Sequence, residues 1–406
     1  MTDARPDAPL DPEPILTEPS DVPPSAPAMP PARRSRRPWV IAFVLVLVPV
    51  LAAELVLRML IGMDRLPVAA SIRPAQIVWA FQDEHPRIDL AVVGDSMSHS
   101  GLDPALLGEL ASAATGRDVV GYDFAVPGNG PGTSLLQLQQ LAREGRMPEV
   151  VVMGISPIGL RGDAQGDRTF RRSPMGQLFG DCQGITELAA VVDCRAAQVS
   201  ALWRWRGRWQ QVLSAVTGGD FTAGKGGRHP RHDGFSSGPK RTVAQLQPQV
   251  EEGLSHEDVA MALGPTVIDD YRALVDFITS QGSTAVGVLV PYSQLYADAL
   301  EARHPGWDTE RLVAAQDLSA AIGAPVIDPG SIAAWWGDGT SQNIKHFSGA
   351  GAKRFTQQAW DAPGFADAVV AALGGAAAPG ASAASPAPAG GPAASPAPAG
   401  SPGAGS

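Results

Sequence analysis

The pattern of apolar and polar residues predicts that strands and helices alternate through most of the chain. Five short apolar runs are typical of buried parallel strands, at 88–93, 119–126, 149–155, 285–290 and 325–327. Segments with apolar residues at helical spacing lie at 103–114, 132–144, 267–281, 295–303, 312–322 and 349–360. Such alternation is typical of a parallel sheet with helices on both faces. The sequence therefore predicts an α/β fold, a three-layer sandwich with a mostly parallel five-stranded sheet.

A different apolar pattern lies near the N-terminus, where residues 38–63 are almost continuously hydrophobic. The run is long enough to cross a hydrocarbon layer of ~30 Å. Glu54 and Arg58 interrupt it one helical turn apart, so they can pair near one end. Arginines at 33, 34, 36 and 37 predict a cytoplasmic N-terminus and an extracytoplasmic body. We expect a single-pass anchor in the cytoplasmic membrane, and the alternative is a cleaved signal peptide.

Both ends of the chain have compositions that cannot form a packed core. Residues 1–37 contain ten prolines, and residues 373–406 are almost wholly Ala, Gly, Pro and Ser. We expect a disordered cytoplasmic tail at 1–37 and a low-complexity tail at 373–406. Between the anchor and the second tail, residues 75–372 are predicted to form one extracytoplasmic domain. Residues 160–262 break its strand–helix rhythm and are interpreted as an insertion.

Composition excludes several classes of protein. An apolar fraction of 44% excludes a disordered protein, and a net charge of −10 argues against a nucleic-acid partner. Two cysteines are too few for a disulfide scaffold or a Cys-rich zinc module. Cys182 and Cys194 are twelve residues apart in a chain predicted to be exported, which favours a local disulfide over two free thiols.

Within the insertion, residues 199–216 carry apolar side chains every three or four positions, which predicts an amphipathic helix. Arg204 and Arg208 lie on its flank, with Trp203 beside them. One interpretation is a helix that rests on anionic lipid headgroups or stacks its tryptophans on sugar rings. The other is a helix packed on the sheet with its arginines in solvent.

Two distant segments carry candidate chemistry. Gly94-Asp95-Ser96-Met97 follows the first predicted strand, where a strand-to-helix turn suits a serine nucleophile and also suits an ordinary turn. His346 lies in the loop before the last predicted helix, on the same rim of the sheet. Its neutral imidazole can accept a hydroxyl proton. His99, three residues after Ser96, is either a partner of this site or a helix cap.

The order of these blocks resembles the SGNH (GDSL-type) hydrolase superfamily. Ser96 matches the nucleophile of its first block and His346 the base of its last block. Gly128, after the second strand, matches the oxyanion glycine, and Gly154-Ile155-Ser156 occupies the position of the third block. The resemblance covers roughly 86–158 and 324–360. It implies a flavodoxin-like SGNH fold, in which the backbone N–H groups of Ser96 and Gly128 bind an oxyanion.

Two positions depart from the family pattern. Ser156 stands where the family has an oxyanion-binding Asn, so the donor is expected to be the Ser156 hydroxyl or the neighbouring amide of Asn129. Asn343 stands where the family has the Asp that orients the histidine. Asp338, on the same loop, is the first substitute carboxylate, and Asp328 is the second.

The resemblance implies serine-dependent acyl-ester chemistry. The phrases at 101–104 and 148–157 are similar to a membrane-anchored branch that handles acyl groups on cell-surface polymers. We expect an O-acyltransferase or esterase of the bacterial cell envelope, acting on a surface carbohydrate or lipid-linked substrate through an acyl-serine. No metal or organic cofactor is implied, and a membrane acyl-exporting protein is the expected partner. The alternative is a weakly active or inactive SGNH-fold subunit that binds glycans or assists assembly.

Overall fold

The computed structural model describes residues 37–61, 87–162, 182, 188–206, 233–235, 238–256, 261, 263–264, 266–329 and 339–374. Nearly all of both predicted tails, the candidate carboxylate Asp338 and much of the predicted insertion lie outside these residues. The chain divides into two compact units, one ending at Ala52 and the other beginning at Ala53.

The strands of the described chain form one parallel sheet. They are β1 (Leu90–Gly94), β2 (Gly121–Asp123), β3 (Val150–Ile155), β4 (Thr284–Leu289) and β5 (Val326–Ile327). Their spatial order is β2-β1-β3-β4-β5, and every neighbouring pair is parallel. This order is that of flavodoxin-like sheets, whose ligands bind beside β1 and β3 where the order reverses. The predicted parallel five-stranded sheet is confirmed.

The described helices follow these strands along the chain. They are α1 (Arg37–Ile61), α2 (Ser96–Gly101), α3 (Pro104–Thr115), α4 (Pro131–Arg143), α5 (Pro157–Arg161), α6 (Leu188–Val199), α7 (Ala201–Trp205), α8 (Val243–His256), α9 (Val267–Ser280), α10 (Gln294–Arg303), α11 (Trp307–Ile322), α12 (Gly349–Asp361) and α13 (Phe365–Ala372). Helices α3, α12 and α13 pack together on one face of the sheet, and α4, α9 and α11 pack on the other.

The central strands are buried because helices cover both faces of the sheet. All side chains from Leu90 to Val93 and from Val150 to Val152 are at most 1% exposed. Such strands have no polar side to alternate with, which explains why both appear as unbroken apolar runs in the sequence. The core therefore lies on both sides of β1 and β3, and their carboxyl ends form the rim where loops meet.

Three elements differ from the sequence-based expectation. The regular strand β2 covers three residues of the predicted 119–126, although Phe124 and Val126 still donate backbone hydrogen bonds to β1. A separate short helix, α2, begins at Ser96 itself, ahead of the helix predicted from 103. The predicted 199–216 helix is interrupted at Ser200, the residue between α6 and α7, which caps α7. The part of the predicted helix beyond residue 206 lies outside the described chain.

Arg204 also departs from the expectation of a solvated flank. Its side chain is buried and donates from Nε to the Ala197 carbonyl at 2.7 Å and from Nη2 to the Gln198 carbonyl at 2.9 Å. The arginine therefore links α7 to the end of α6 and is not available to a headgroup or to solvent.

Helix α1 is long and apolar enough to span a membrane. Its segment Trp39–Met59 has 21 residues and a mean hydropathy of 2.9. At ~1.5 Å per residue, this segment rises about 30 Å, which matches the thickness of a hydrocarbon core. The expected apolar N-terminal helix is present, on grounds of length and composition.

Candidate active site

Ser96 is the first residue of α2, directly beyond the carboxyl end of β1. Asp95 caps this helix, since its Oδ1 accepts hydrogen bonds from the backbone N–H groups of Met97 at 2.9 Å and Ser98 at 3.2 Å. An aspartate at this position satisfies helix donors that would otherwise lack partners. The Ser96 hydroxyl is therefore fixed at the rim of the sheet.

Two glycines allow α2 to sit directly on the strands. A Cβ atom at Gly94 or Gly154 would lie 2.4 or 2.2 Å from the Ser98 hydroxyl oxygen, which is closer than van der Waals contact permits. Without those side chains, Ser98 approaches β3 and donates to the Gly154 carbonyl at 3.0 Å. The glycine of the first sequence block thus sets the height of the helix that carries Ser96.

His346 reaches Ser96 from the loop that precedes α12. Its Nε2 atom lies 2.7 Å from the Ser96 Oγ, although the residues are 250 positions apart in the chain. Burial lowers the pKa of the His346 imidazole, and the negative charge of Asp95 opposes this effect. The imidazole is therefore predominantly neutral near pH 7 and can accept a proton at Nε2.

Asn343 orients this imidazole through its side-chain oxygen. The oxygen accepts hydrogen bonds from the backbone N–H groups of Lys345 and His346, both at 2.8 Å, and lies 2.9 Å from His346 Nδ1. Two backbone donors require an acceptor, which identifies this amide atom as oxygen. Nδ1 therefore carries the ring proton, and the lone pair of Nε2 faces Ser96.

A pocket opens beside Ser96. Gly128 and Asn129, in the loop after β2, lie in its wall. Within the described chain, the backbone N–H groups of Ser96 and Gly128 have no protein acceptor. Gly128 has φ +78°, in the left-handed region that glycine adopts without strain. The pocket is lined by Gly94, Asp95, Ser96, Gly128, Asn129, Gly130, Pro131, Gly154, Ile158, Gly159, Gly162, Val267, Asp270 and Tyr271.

Ser156 has a different role from the one expected of it. Its hydroxyl donates to Asp95 Oδ2 in a short hydrogen bond and accepts from the backbone N–H of Gly159 at 3.0 Å, which caps α5. A hydroxyl has one proton, so in this arrangement Ser156 has none to offer an oxyanion. Asn129 is left as the side-chain amide that borders the pocket next to Gly128.

The remaining predicted residues are the two cysteines and the two substitute carboxylates. Cys182 and Cys194 form a disulfide with a Cα–Cα distance of 5.9 Å, in the insertion. Asp328 follows β5, and the Nδ1 atom of His346 is bonded to Asn343 and not to this carboxylate. Asp338, the first substitute, lies outside the described residues.

His99 of α2 has a buried partner, Asp123, that the sequence did not identify. His99 Nδ1 lies 2.6 Å from Asp123 Oδ2, and both side chains are almost fully buried. Burial raises the pKa of Asp123 to about 6, and the adjacent His99 opposes that rise. The other Asp123 oxygen accepts from the Ala125 N–H at 2.8 Å. The pair therefore connects α2 to the loop that carries Gly128. The sequence signal was a histidine one helical turn after Ser96 and an aspartate inside an apolar run.

Pocket residues on α9 were also missed. Tyr271 was part of the apolar spacing that predicted this helix, and it is indeed buried, but it also borders the pocket together with Asp270 and Val267. Helical spacing identifies a buried side chain without showing which surface it faces.

The chain was compared with family models and with curated proteins, and none of them matches it.

Proposed function

We propose that the protein is a membrane-anchored, extracytoplasmic serine enzyme of the SGNH type that transfers or hydrolyses an acyl ester. The observation that carries the proposal is the continuous hydrogen-bonded series from Ser96 Oγ through both nitrogens of His346 to the oxygen of Asn343. An ordinary turn at Gly94-Asp95-Ser96 has no need for an imidazole contributed by a segment 250 residues away and held in one tautomer.

The proposed reaction begins when Ser96 Oγ attacks the carbonyl carbon of an ester. The hydroxyl proton passes to His346 Nε2, and the carbonyl oxygen becomes an oxyanion. The backbone N–H groups of Ser96 and Gly128, with the side-chain amide of Asn129, donate hydrogen bonds to that oxyanion. The bond from the carbonyl carbon to the leaving alcohol oxygen then breaks, Nε2 returns its proton to that oxygen, and an acyl-Ser96 ester remains.

In the second half of the reaction, an acceptor oxygen attacks the acyl-Ser96 carbonyl. His346 removes the acceptor proton and later gives it to Ser96 Oγ as the serine ester bond breaks. Water as acceptor gives an esterase, and a sugar hydroxyl gives an O-acyltransferase. The site residues act identically in both cases, so the identity of the acceptor distinguishes the two activities.

The proposed setting is the outer surface of the cytoplasmic membrane. Helix α1 supports a single-pass anchor, and the arginines at 33, 34, 36 and 37 support a cytoplasmic N-terminus. A domain held there meets surface carbohydrates and lipid-linked intermediates, which we propose as the substrate class. A membrane protein that exports acyl groups is the proposed partner.

A second function is favoured by one observation: among the described residues, which do not include Asp338, no carboxylate contacts His346 Nδ1. The imidazolium formed during acyl transfer would lack the negative charge that supports it in Ser-His-Asp triads. On this alternative the protein is a weakly active or inactive subunit that binds glycans or assists assembly on the same fold.

Labelling with a serine-directed fluorophosphonate separates the two functions. The full chain in detergent or nanodiscs is treated with the probe, and the modified peptide is identified by mass spectrometry. An enzyme is labelled at Ser96, the signal disappears in Ser96→Ala, and it falls strongly in His346→Ala. Ser98→Ala is the matched control, since Ser98 lies on the same helix but its hydroxyl is bonded to Gly154. Absence of labelling under conditions that modify a known serine esterase favours the binding subunit.

A further inference from the structure

One end of α1 is hydrogen-bonded to the start of α7. The Glu54 carboxylate accepts from the backbone N–H of Ala201 at 2.8 Å, from that of Leu202 at 2.9 Å, and from the Ser200 hydroxyl at 2.9 Å. Arg58 pairs with Glu54 at 2.7 Å and also donates to the Val199 carbonyl. Glu54 and Arg58 thus bind the turn between α6 and α7 to the last turns of α1.

This contact fixes a depth. Glu54 lies five residues before the end of the apolar segment Trp39–Met59. At ~1.5 Å per residue, that places its Cα about 8 Å inside the end of the segment. If α1 spans a bilayer, the turn that binds the Glu54 carboxylate lies about 8 Å below the boundary between headgroups and acyl chains, within the ~5–10 Å to which interfacial helices bury their apolar faces.

The two helices joined at this turn expose an apolar face. On α6, Leu188, Val192 and Val199 follow helical spacing and are 76%, 57% and 68% exposed, whereas Cys194 and Ala197 on the other side are buried. Trp203 of α7 is 43% exposed. We call Leu188, Val192, Val199 and Trp203 the α6–α7 face.

Cationic and aromatic groups accompany this face. Arg195 lies in the same helical row as Val192 and Val199, is exposed, and donates to the side-chain oxygen of Gln198 at 3.1 Å. The Arg206 guanidinium lies 4.6 Å from the centre of the Trp203 ring and also pairs with Asp193. Apolar side chains with Trp and Arg at their margin are typical of helices that lie in a membrane interface.

We propose that the α6–α7 face lies in the headgroup–acyl boundary of the bilayer that α1 crosses, in the leaflet next to Glu54. The face contacts phospholipid, because Glu54 of α1 binds the turn between α6 and α7 and so keeps the face at the depth of the lipid boundary. The inference rests on the membrane anchoring in the proposed function and is independent of acyl chemistry. It gives the domain a second attachment to the membrane besides the anchor.

The depth of single side chains tests this inference directly. The chain has two cysteines, which form the disulfide, so an introduced cysteine is the one free thiol. Val192→Cys and Val199→Cys are prepared in the full chain, spin-labelled, and placed in nanodiscs of phosphatidylcholine and phosphatidylglycerol. Collision with oxygen, which concentrates in lipid, is compared with collision with a water-soluble nickel chelate. Val313→Cys, at an exposed position on α11, is the aqueous control, and Leu47→Cys in α1 is the lipid control.

We expect labels at 192 and 199 to shift toward oxygen relative to 313 and to report a shallower depth than 47. The inference is overturned if labels at 192 and 199 match 313 while the label at 47 reports lipid, and anchoring would stand. If the label at 47 also reports water, both the anchoring and this inference fail.

A charge placed in the face supplies a second test. Val192→Glu in the Val199→Cys background should shift the label at 199 toward the nickel chelate, and Val192→Leu should leave it unchanged. Fluorophosphonate labelling of Ser96, or an unchanged melting temperature, checks that each variant folds. An equal response of folded Glu and Leu variants would contradict a lipid contact.

Discussion

His346 Nδ1 faces the side-chain oxygen of Asn343 at 2.9 Å, and two backbone N–H groups bind the same oxygen. In the best-studied Ser-His-Asp triad, replacing Asp by Asn costs about 10⁴-fold in rate because the histidine adopts the wrong tautomer. Here the backbone donors keep the amide oxygen toward the ring, so that cause of loss is absent. Among the described residues, the difference from such a triad at Nδ1 is that Asn343 carries no negative charge to stabilise the imidazolium.

Asn343→Asp should therefore increase the rate of acylation of Ser96. A carboxylate of the same shape can accept all three hydrogen bonds, and it adds a charge that favours the protonated ring. We expect an increase of about 10-fold, equivalent to ~1.4 kcal/mol of barrier. The measurement is kcat/KM with an activated acetate ester, or the rate of fluorophosphonate labelling.

Asn343→Ala is the matched variant, because it removes the orienting oxygen altogether. Its rate should fall by roughly 10²-fold, the lower range for loss of a general base. Should Asp fail to accelerate and Ala fail to slow the reaction, Asn343 would have no part in it.

The pH dependence of the rate follows from the state of His346. Only the neutral imidazole accepts the Ser96 proton, and burial holds the pKa of His346 below the ordinary 6.5. The acidic fall in kcat/KM should therefore lie below pH 6.5 in the parent protein. In Asn343→Asp the added charge raises the pKa of His346, so the fall should move to higher pH. A profile of kcat/KM from acid to neutral pH checks both, and an unmoved acidic limb would mean that His346 is not the base.

The sequence identified those parts of the fold whose cause is local. The unbroken apolar runs at β1 and β3 predicted buried parallel strands, and a parallel sheet brings the loops that carry Ser96 and His346 to one rim. Features set by distant partners were not predictable. The cap that starts α7 is completed by Glu54, 146 residues from Ser200. The regular apolar spacing at 199–216 therefore gave no sign of the break between α6 and α7. The direction of the Ser156 proton likewise depends on Asp95, in another loop.

Asn129 and Ser156 should behave differently when each is changed to Ala. If the Asn129 amide binds the oxyanion, Asn129→Ala should lower kcat by about 10²-fold with little change in KM, the usual effect of losing one such donor. Ser156→Ala removes the α5 cap and a partner of Asp95, so it should lower the free energy of unfolding by about 1 kcal/mol. Steady-state kinetics and urea unfolding of both variants provide the comparison. A catalytic loss in Ser156→Ala that exceeds the loss in Asn129→Ala would reverse the assignment.

His99→Leu should destabilise the domain, and more so as the pH rises. Removing the partner of a buried carboxylate costs about 3–5 kcal/mol, because the carboxylate is left without compensation. The pKa of Asp123 is about 6 in the folded protein, above its value of 3.8 in an unfolded chain. Stability from a carboxyl group with a raised pKa is present below the unfolded value and is lost as the pH rises through the folded one. Without His99 the pKa of Asp123 rises further, so the loss should be larger at pH 7.5 than at pH 5.

Two comparisons make this prediction specific to burial. His304→Leu removes another histidine that contacts a carboxylate, since His304 lies 2.9 Å from Glu310. Both of these side chains are more than a third exposed, so the melting temperature should stay near that of the parent. His99→Leu with Asp123→Asn removes the buried charge yet keeps an oxygen for the Ala125 N–H, and should recover much of the lost stability. Thermal and urea unfolding at both pH values provide the measurement. The prediction is contradicted if His99→Leu lowers stability no more than His304→Leu does, or if the double variant recovers nothing. In either case, loss of the partner of the buried Asp123 carboxylate is not what destabilises the domain.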